Sequence, residues 1–192
     1  EGVEKSDEKA VELYQKAAEQ GHVRAQYDLA RCYDYGRGVD RSFETAAYWY
    51  TKAAEQGFCY AQSDLGSCYE TGEGVEQSYE KAVEWYTKAA EQGNADAQYF
   101  LATEYIKGKN VKQNPQLALN YLDNAIKQNH IKSATMLGKL LVEGEYCEKN
   151  LIHAADLFTT AARNGDSVAQ YELAKMFKNG TGGLSPSLVD AY

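Results

Sequence analysis

A 36-residue period, repeated without a gap, constrains this chain more than any other feature of its sequence. Ala25-Gln26-Tyr27-Asp28-Leu29 returns as Ala61-Gln62-Ser63-Asp64-Leu65, as Ala97-Gln98-Tyr99-Phe100-Leu101 and as Ala169-Gln170-Tyr171-Glu172-Leu173, while Ser133 opens the remaining copy. Further along the unit, Trp49-Tyr50-Thr51-Lys52-Ala53-Ala54-Glu55-Gln56-Gly57 returns intact from Trp85 to Gly93, and less completely from Leu13 to Gly21. The reading is one domain over 1–192: a half unit 1–24, whole units 25–60, 61–96, 97–132 and 133–168, and a partial unit 169–192. The chain opens in mid-repeat on Glu1 with no Met, which implies a cut there and leaves room upstream for a signal peptide or further repeats.

Within a unit, apolar residues follow a helical period twice. Ala25, Leu29, Cys32 and Tyr33 share one face of a first helix, and Ala46, Trp49, Tyr50, Ala53 and Ala54 one face of a second. The small residue after the Leu (Ala30, Gly66, Ala102, Gly138, Ala174) leaves room for a neighbouring helix. Gly36-Arg37-Gly38-Val39, echoed as Gly72-Glu73-Gly74-Val75, ends the first helix on a left-handed residue, with the Val plugging the corner. Ser6, Ser42, Ser78, Asn114 and Asn150 stand where the second helix needs an N-cap, and Pro115 follows at the favoured first helical position. Gly21, Gly57, Gly93, Asn129 and Gly165 stand where it stops. No single unit buries its own aromatic stripe, so stacked neighbours must supply the cover. The fold class expected is all-α: a right-handed superhelical solenoid of stacked antiparallel helix pairs.

Several function classes are disfavoured by the composition. A net charge of -8 opposes a polyanion, so no nucleic-acid partner is expected. No apolar run reaches membrane-spanning length, so no membrane insertion is expected. His22, His130 and His153 have no carboxylate, Cys or Ser at a spacing that builds a nucleophile or a metal site, and read as incidental surface residues. The Gly-x-Gly segments lack the preceding strand and following Lys of a phosphate loop and read as helix terminators. The expectation is a non-enzymatic protein with no catalytic residue, metal, cofactor or small-molecule substrate.

The Ala, Leu-Gly/Ala, Tyr, Gly-x-Gly-Val, Trp and Ala-Ala-x-x-Gly positions resemble the Sel1-like repeat, a relative of the tetratricopeptide repeat, over nearly the whole chain. The pattern departs at Gly108-Lys109-Asn110 and at Gly144-Glu145-Tyr146-Cys147, and it loosens at Thr181-Gly182-Gly183-Leu184, read as carrying one extra residue. Ser185-Pro186 is read as capping a short last helix that ends at Tyr192. The resemblance implies a bacterial or endoplasmic-reticulum adaptor, in some relatives secreted or periplasmic, that binds a partner protein. It also implies that first helices line a concave face.

On that face the third, seventh, tenth and eleventh residues of each unit are expected to point away from the core, and they differ between units as a recognition surface would. The candidates for protein binding are Tyr27, Arg31, Asp34 and Tyr35; Ser63 and Glu70; Tyr99, Ile106 and Lys107; Lys139; and Tyr171, Lys175 and Lys178. The plain alternative is solvated helix surface. Two functions follow: a scaffold or adaptor that takes a segment of another protein, or a dedicated inhibitor of the immunity type that blocks a basic toxin. Tyr33, Tyr69 and Tyr105 read as core, and Tyr48, Tyr50 and Tyr86 as packed between units. Cys32 and Cys68 read as buried hydrophobes about 10 Å apart, too far for a disulfide, while a Cys59–Cys68 bridge stays open. The regular cysteine pairs of one branch of the family are missing, and this leans toward a reducing compartment.

Overall fold

The computed structural model of the protein describes residues 6–183. Among them are ten helices and no strand: α1 (Asp7–Glu19), α2 (Val23–Tyr35), α3 (Phe43–Glu55), α4 (Cys59–Thr71), α5 (Tyr79–Glu91), α6 (Ala95–Lys107), α7 (Pro115–Ile126), α8 (Ile131–Glu143), α9 (Leu151–Arg163) and α10 (Ser167–Asn179). The chain divides into two compact units, Glu1–Ala97 and Gln98–Tyr192. Within the first, each helix from α1 to α5 packs on the next; within the second, α7 packs on α8, α8 on α9 and α9 on α10.

The expected starts and stops all take the conformations their residue types favour. The side chains of Ser6, Ser42, Ser78, Asn114 and Asn150 accept from the backbone N–H of Lys9, Thr45, Lys81, Leu117 and His153, one bond at each second-helix start. Asn129, the non-glycine residue with positive φ among those described, takes φ 61° where its counterparts are Gly21, Gly57, Gly93 and Gly165. His22 and His130 turn out to cap first helices: each Nδ1 accepts a backbone N–H, from Ala25 at 3.1 Å and from Ser133 at 3.3 Å. They are structural rather than incidental.

The second glycine of the Gly-x-Gly loop answers two demands. Gly38, Gly74 and Gly182 all have positive φ. A Cβ on them would collide with the backbone of Asp7, Phe43 and Leu151 respectively, the same position of the preceding second helix. Gly182 therefore stays in register, and the pattern departs only from Gly183 onward. The expected cap at Ser185-Pro186 and the last helix fall outside the described residues.

Packing in the first unit joins Leu29, Trp49, Tyr50 and Leu65 across a bed of alanines; in the second, Leu122, Leu137, Leu157, Phe158 and Leu173 serve. The small residue after the Leu has a specific neighbour. A Cβ on Gly66 would lie 3.0 Å from the Tyr86 ring, and one on Gly138 2.7 Å from the Phe158 ring. Glutamines tie successive helices: Gln26 and Gln62 donate to the Ala18 and Ala54 carbonyls at 3.1 and 3.2 Å, and Gln56 and Gln92 donate back to Gln26 and Gln62, both at 2.7 Å. Gln128 repeats the bond to Gln98 at 3.2 Å.

Candidate functional site

The structure sorts the expected recognition residues into three environments. Arg31 and Asp34 are half-buried and Tyr35 is 55% exposed, all on the last two turns of α2. Glu70 is half-buried on α4, and in the second unit so are Tyr99, Ile106 and Lys139, while Lys107 is exposed. Tyr171, Lys175 and Lys178 are exposed on α10.

Tyr27 and Ser63 are a correction: they are buried, 8% and 7% exposed. The third residue of a unit faces the seam with the next first helix. The Tyr27 ring packs 4.9 Å from Phe58, 5.9 Å from Tyr50 and 6.3 Å from Tyr60, and its hydroxyl interacts with Asp64. Tyr99 follows suit, its ring 5.4 Å from His130. Tyr171 occupies the same position yet is 65% exposed, with no later first helix against it among the described residues. Two further expectations are corrected: Tyr48 is 54% exposed, and Cys32 and Cys68 are half-buried residues that line crevices. All four cysteines are free thiols, and burial pushes that of Cys68 up to about 12.

The tenth position is half structural. The Tyr50 hydroxyl donates to Asp34 Oδ2 at 3.2 Å, and Tyr86 donates to Glu70 Oε2 at 3.1 Å. In the second unit the equivalent pairs are Ile106 with Leu122 and Val142 with Phe158, so the phenol and its carboxylate are lost together. Burial and the neighbouring carboxylates raise the Tyr27, Tyr50 and Tyr86 phenols, so these side chains remain hydrogen-bond donors.

Arginines stand against aromatic rings on the first-helix face of the unit Glu1–Ala97. The guanidinium of Arg31 lies 5.8 Å from the Tyr27 ring centroid and 5.7 Å from that of Tyr35, and Arg37 lies 5.3 Å from Tyr35. Beside them burial pushes the Asp64 carboxyl up to about 6; Asp34 and Asp96 push the same way, while Tyr27 and Arg31 oppose. Two open crevices occupy this face. One, of about 200 Å³, lies between α1 and α2 and is lined by Tyr14, Arg31, Tyr35 and Arg37. The other, of about 120 Å³, is lined by Asp34, Tyr35, Tyr50, Asp64 and Glu73.

The second unit is built differently. Glu104 is 5% exposed, accepts from Asn110 Nδ2 at 2.6 Å and pairs with Lys107 at 3.4 Å. Asn110 stands where three other units have the second glycine, and a buried acid explains it. On α10, Lys175 bonds Glu172 and lies 5.1 Å from the Tyr171 ring. Among the described residues no three His, Cys, Asp or Glu side chains converge to hold a metal ion, and no helix is long and apolar enough to cross a membrane.

Antiparallel helix pairs that repeat every 36 residues define an all-α repeat solenoid. The chain belongs to the Sel1 repeat family, whose sequence signature matches residues 1–22, 23–58, 59–94, 95–130, 131–166 and 167–192. Proteins of this family are in general non-enzymatic scaffolds for protein interaction.

Among solved structures, the chain is similar to a Sel1 repeat protein from Oxalobacter formigenes, with 31% identity and a TM-score of 0.87 over 96% of this chain and 73% of that one. It is also similar to a protective antigen with the same fold from uropathogenic Escherichia coli, at 34% identity and a TM-score of 0.83. That match covers 88% of this chain but only 36% of the antigen's length. An immunity protein from Pseudomonas aeruginosa is more distant, at 26% identity and a TM-score of 0.58 over 91% of this chain and 65% of that one. No curated protein matches the chain by sequence.

Proposed function

We propose that the protein is a scaffold that takes a segment of a partner protein on its first-helix face. One observation carries the reading. Cap and stop positions keep their residue types from unit to unit, whereas Arg31, Asp34 and Tyr35 stand beside two open crevices and are replaced in every other unit. Arg and Tyr are also the side chains that dominate binding energy where proteins meet. In the unit Glu1–Ala97, Glu70 would belong to the same face and Tyr27 and Ser63 would support it from the seams; in the unit Gln98–Tyr192, Ile106, Lys107, Lys139, Tyr171, Lys175 and Lys178 are the candidates for binding, with Tyr99 in support.

The test is affinity capture with the intact chain, read by mass spectrometry, beside a variant carrying Arg31→Ala and Tyr35→Ala. Loss of one dominant partner from the variant supports the reading; a partner retained in full overturns it. A second reading, a dedicated inhibitor of the immunity type, draws on the similarity to the Pseudomonas immunity protein and on the net charge of -8. An acidic surface suits a basic toxin. The captured partner separates the two, because an inhibitor abolishes its partner's activity at equimolar addition and a scaffold leaves it intact.

A further inference from the structure

The two crevices of the unit Glu1–Ala97 are one crevice built twice. Shifting the first by one period carries Tyr14 to Tyr50, Asp28 to Asp64, Cys32 to Cys68, Arg31 to Ser67 and Arg37 to Glu73, and each pair lines its own crevice. The lining positions correspond, while the charge goes from mixed, with two acids and two arginines, to wholly acidic. In the first crevice Asp28 is engaged by Arg24 at 3.1 Å, and Arg31 and Arg37 stand with Asp7, Arg31 also lying near Asp64 of the second crevice. In the second, the charged lining is Asp34, Asp64 and Glu73, all acids. Three acids alone would be an ordinary solvated patch; here they line a cavity walled by Tyr35 and Tyr50. Tyr35 borders both crevices and is 55% exposed, an aromatic divider between the hollow that holds the two arginines and the wholly acidic one.

We propose that these crevices receive an extended segment of the partner carrying one acidic and one basic side chain about three residues apart. The acidic side chain pairs with Arg31 and Arg37, the basic one with Asp34, Asp64 and Glu73, and the intervening residues lie over Tyr35. This rests on the first-helix face being the protein-binding face. The spacing follows from geometry: neighbouring packed helices lie about 8–10 Å apart, and an extended chain advances about 3.3 Å per residue. Crevices of about 200 and 120 Å³ each suit one side chain rather than a whole helix. Burial holds Asp64 at about 6, with Tyr27, Tyr50, Arg31, Asp34 and Asp96 around it. A bound cation favours its ionised form, so affinity rises as pH passes upward through that value.

The experiment measures binding of short capped peptides of alanine and serine to the intact chain by fluorescence polarisation. Each peptide carries one Glu and one Arg at every spacing and in both orders; peptides with two Glu or two Arg complete the panel. The expected result is a maximum for the opposite-charge pair at a spacing of about three, roughly three- to tenfold above the like-charge peptides. Arg37→Glu should move the preference to the two-Arg peptide, and Glu73→Arg to the two-Glu peptide. Both side chains are exposed, so the circular dichroism spectrum and Tm should not move. A flat response to charge and spacing, a maximum near seven residues as for a helix, or variants that keep the original ranking would overturn the proposal. A captured partner lost on Tyr35→Ala but indifferent to both charge variants would sink this proposal and keep the binding face.

Discussion

Single residues set conflicting demands on this chain, and Asp64 shows the conflict most clearly. Its carboxyl is held at about 6 against an ordinary 3.8, chiefly by burial. A folded-state pKa raised above the unfolded value means that the native protein binds the extra proton. The contribution of Asp64 to stability is therefore fully present below about pH 4 and is lost as pH rises through 6. Asp64→Asn should remove the slope and raise stability at neutral pH by on the order of 2 kcal/mol, read by urea unfolding at several pH values. Its neighbour positions in the period behave more simply. Thr135, the counterpart of Tyr27 and Ser63, is 6% exposed with an unpartnered hydroxyl, so Thr135→Val should raise Tm, worth about 1 kcal/mol. Gly138→Ala should lower stability by about 1–3 kcal/mol, because the added methyl meets the Phe158 ring at 2.7 Å inside a filled core.

Pairs of helices explain which parts of the architecture were legible beforehand. Ser42 and Gly57 announce a helix by local chemistry alone, and every such boundary residue behaves as its type requires. Tyr27 was misplaced because counting along one helix does not distinguish a face turned to solvent from a face turned to the next copy. The bond from Tyr50 to Asp34 was visible in principle. Reading the tenth residue of each unit against the twenty-sixth gives Asp with Tyr, Glu with Tyr, Ile with Leu and Val with Phe. The same comparison pairs Gln56 with Gln26 and Gln92 with Gln62, and finds Asn164 where Ala134 has no amide to offer. These are exchanges between polar and apolar joints. Tyr50→Phe should cost about 1 kcal/mol by stranding Asp34, whereas Asp34→Ile combined with Tyr50→Leu should restore most of that loss, as chemical denaturation of the three variants would show. The crevices themselves were not legible, since a cavity depends on how far two neighbouring helices part.

At the scale of the whole molecule, stability is a sum of contacts between successive units, so it is lowest where a unit has a neighbour on one side only. Leu13 occupies the position of Trp49 and is 66% exposed against 9%. Only Val11 and Ala18 of α1 are buried, compared with five residues of α4. Amide hydrogens of α1 should therefore exchange at least about tenfold faster than those of α4 in the 192-residue chain, measured residue by residue by NMR.

The glutamine joints bear on how such a molecule came to have its length. Gln26 and Gln62 reach the same carbonyl of the preceding helix, and Gln56 and Gln92 answer them with the same amide. A gene crossover that copied the codons for residues 59–94 would join two ends already suited to each other, with every cap, stop and side-chain bond supplied by the copied block. Recombination could thus add or remove one crevice at a stroke, leaving point substitutions at positions such as 31, 37 and 73 to give each new hollow its charge.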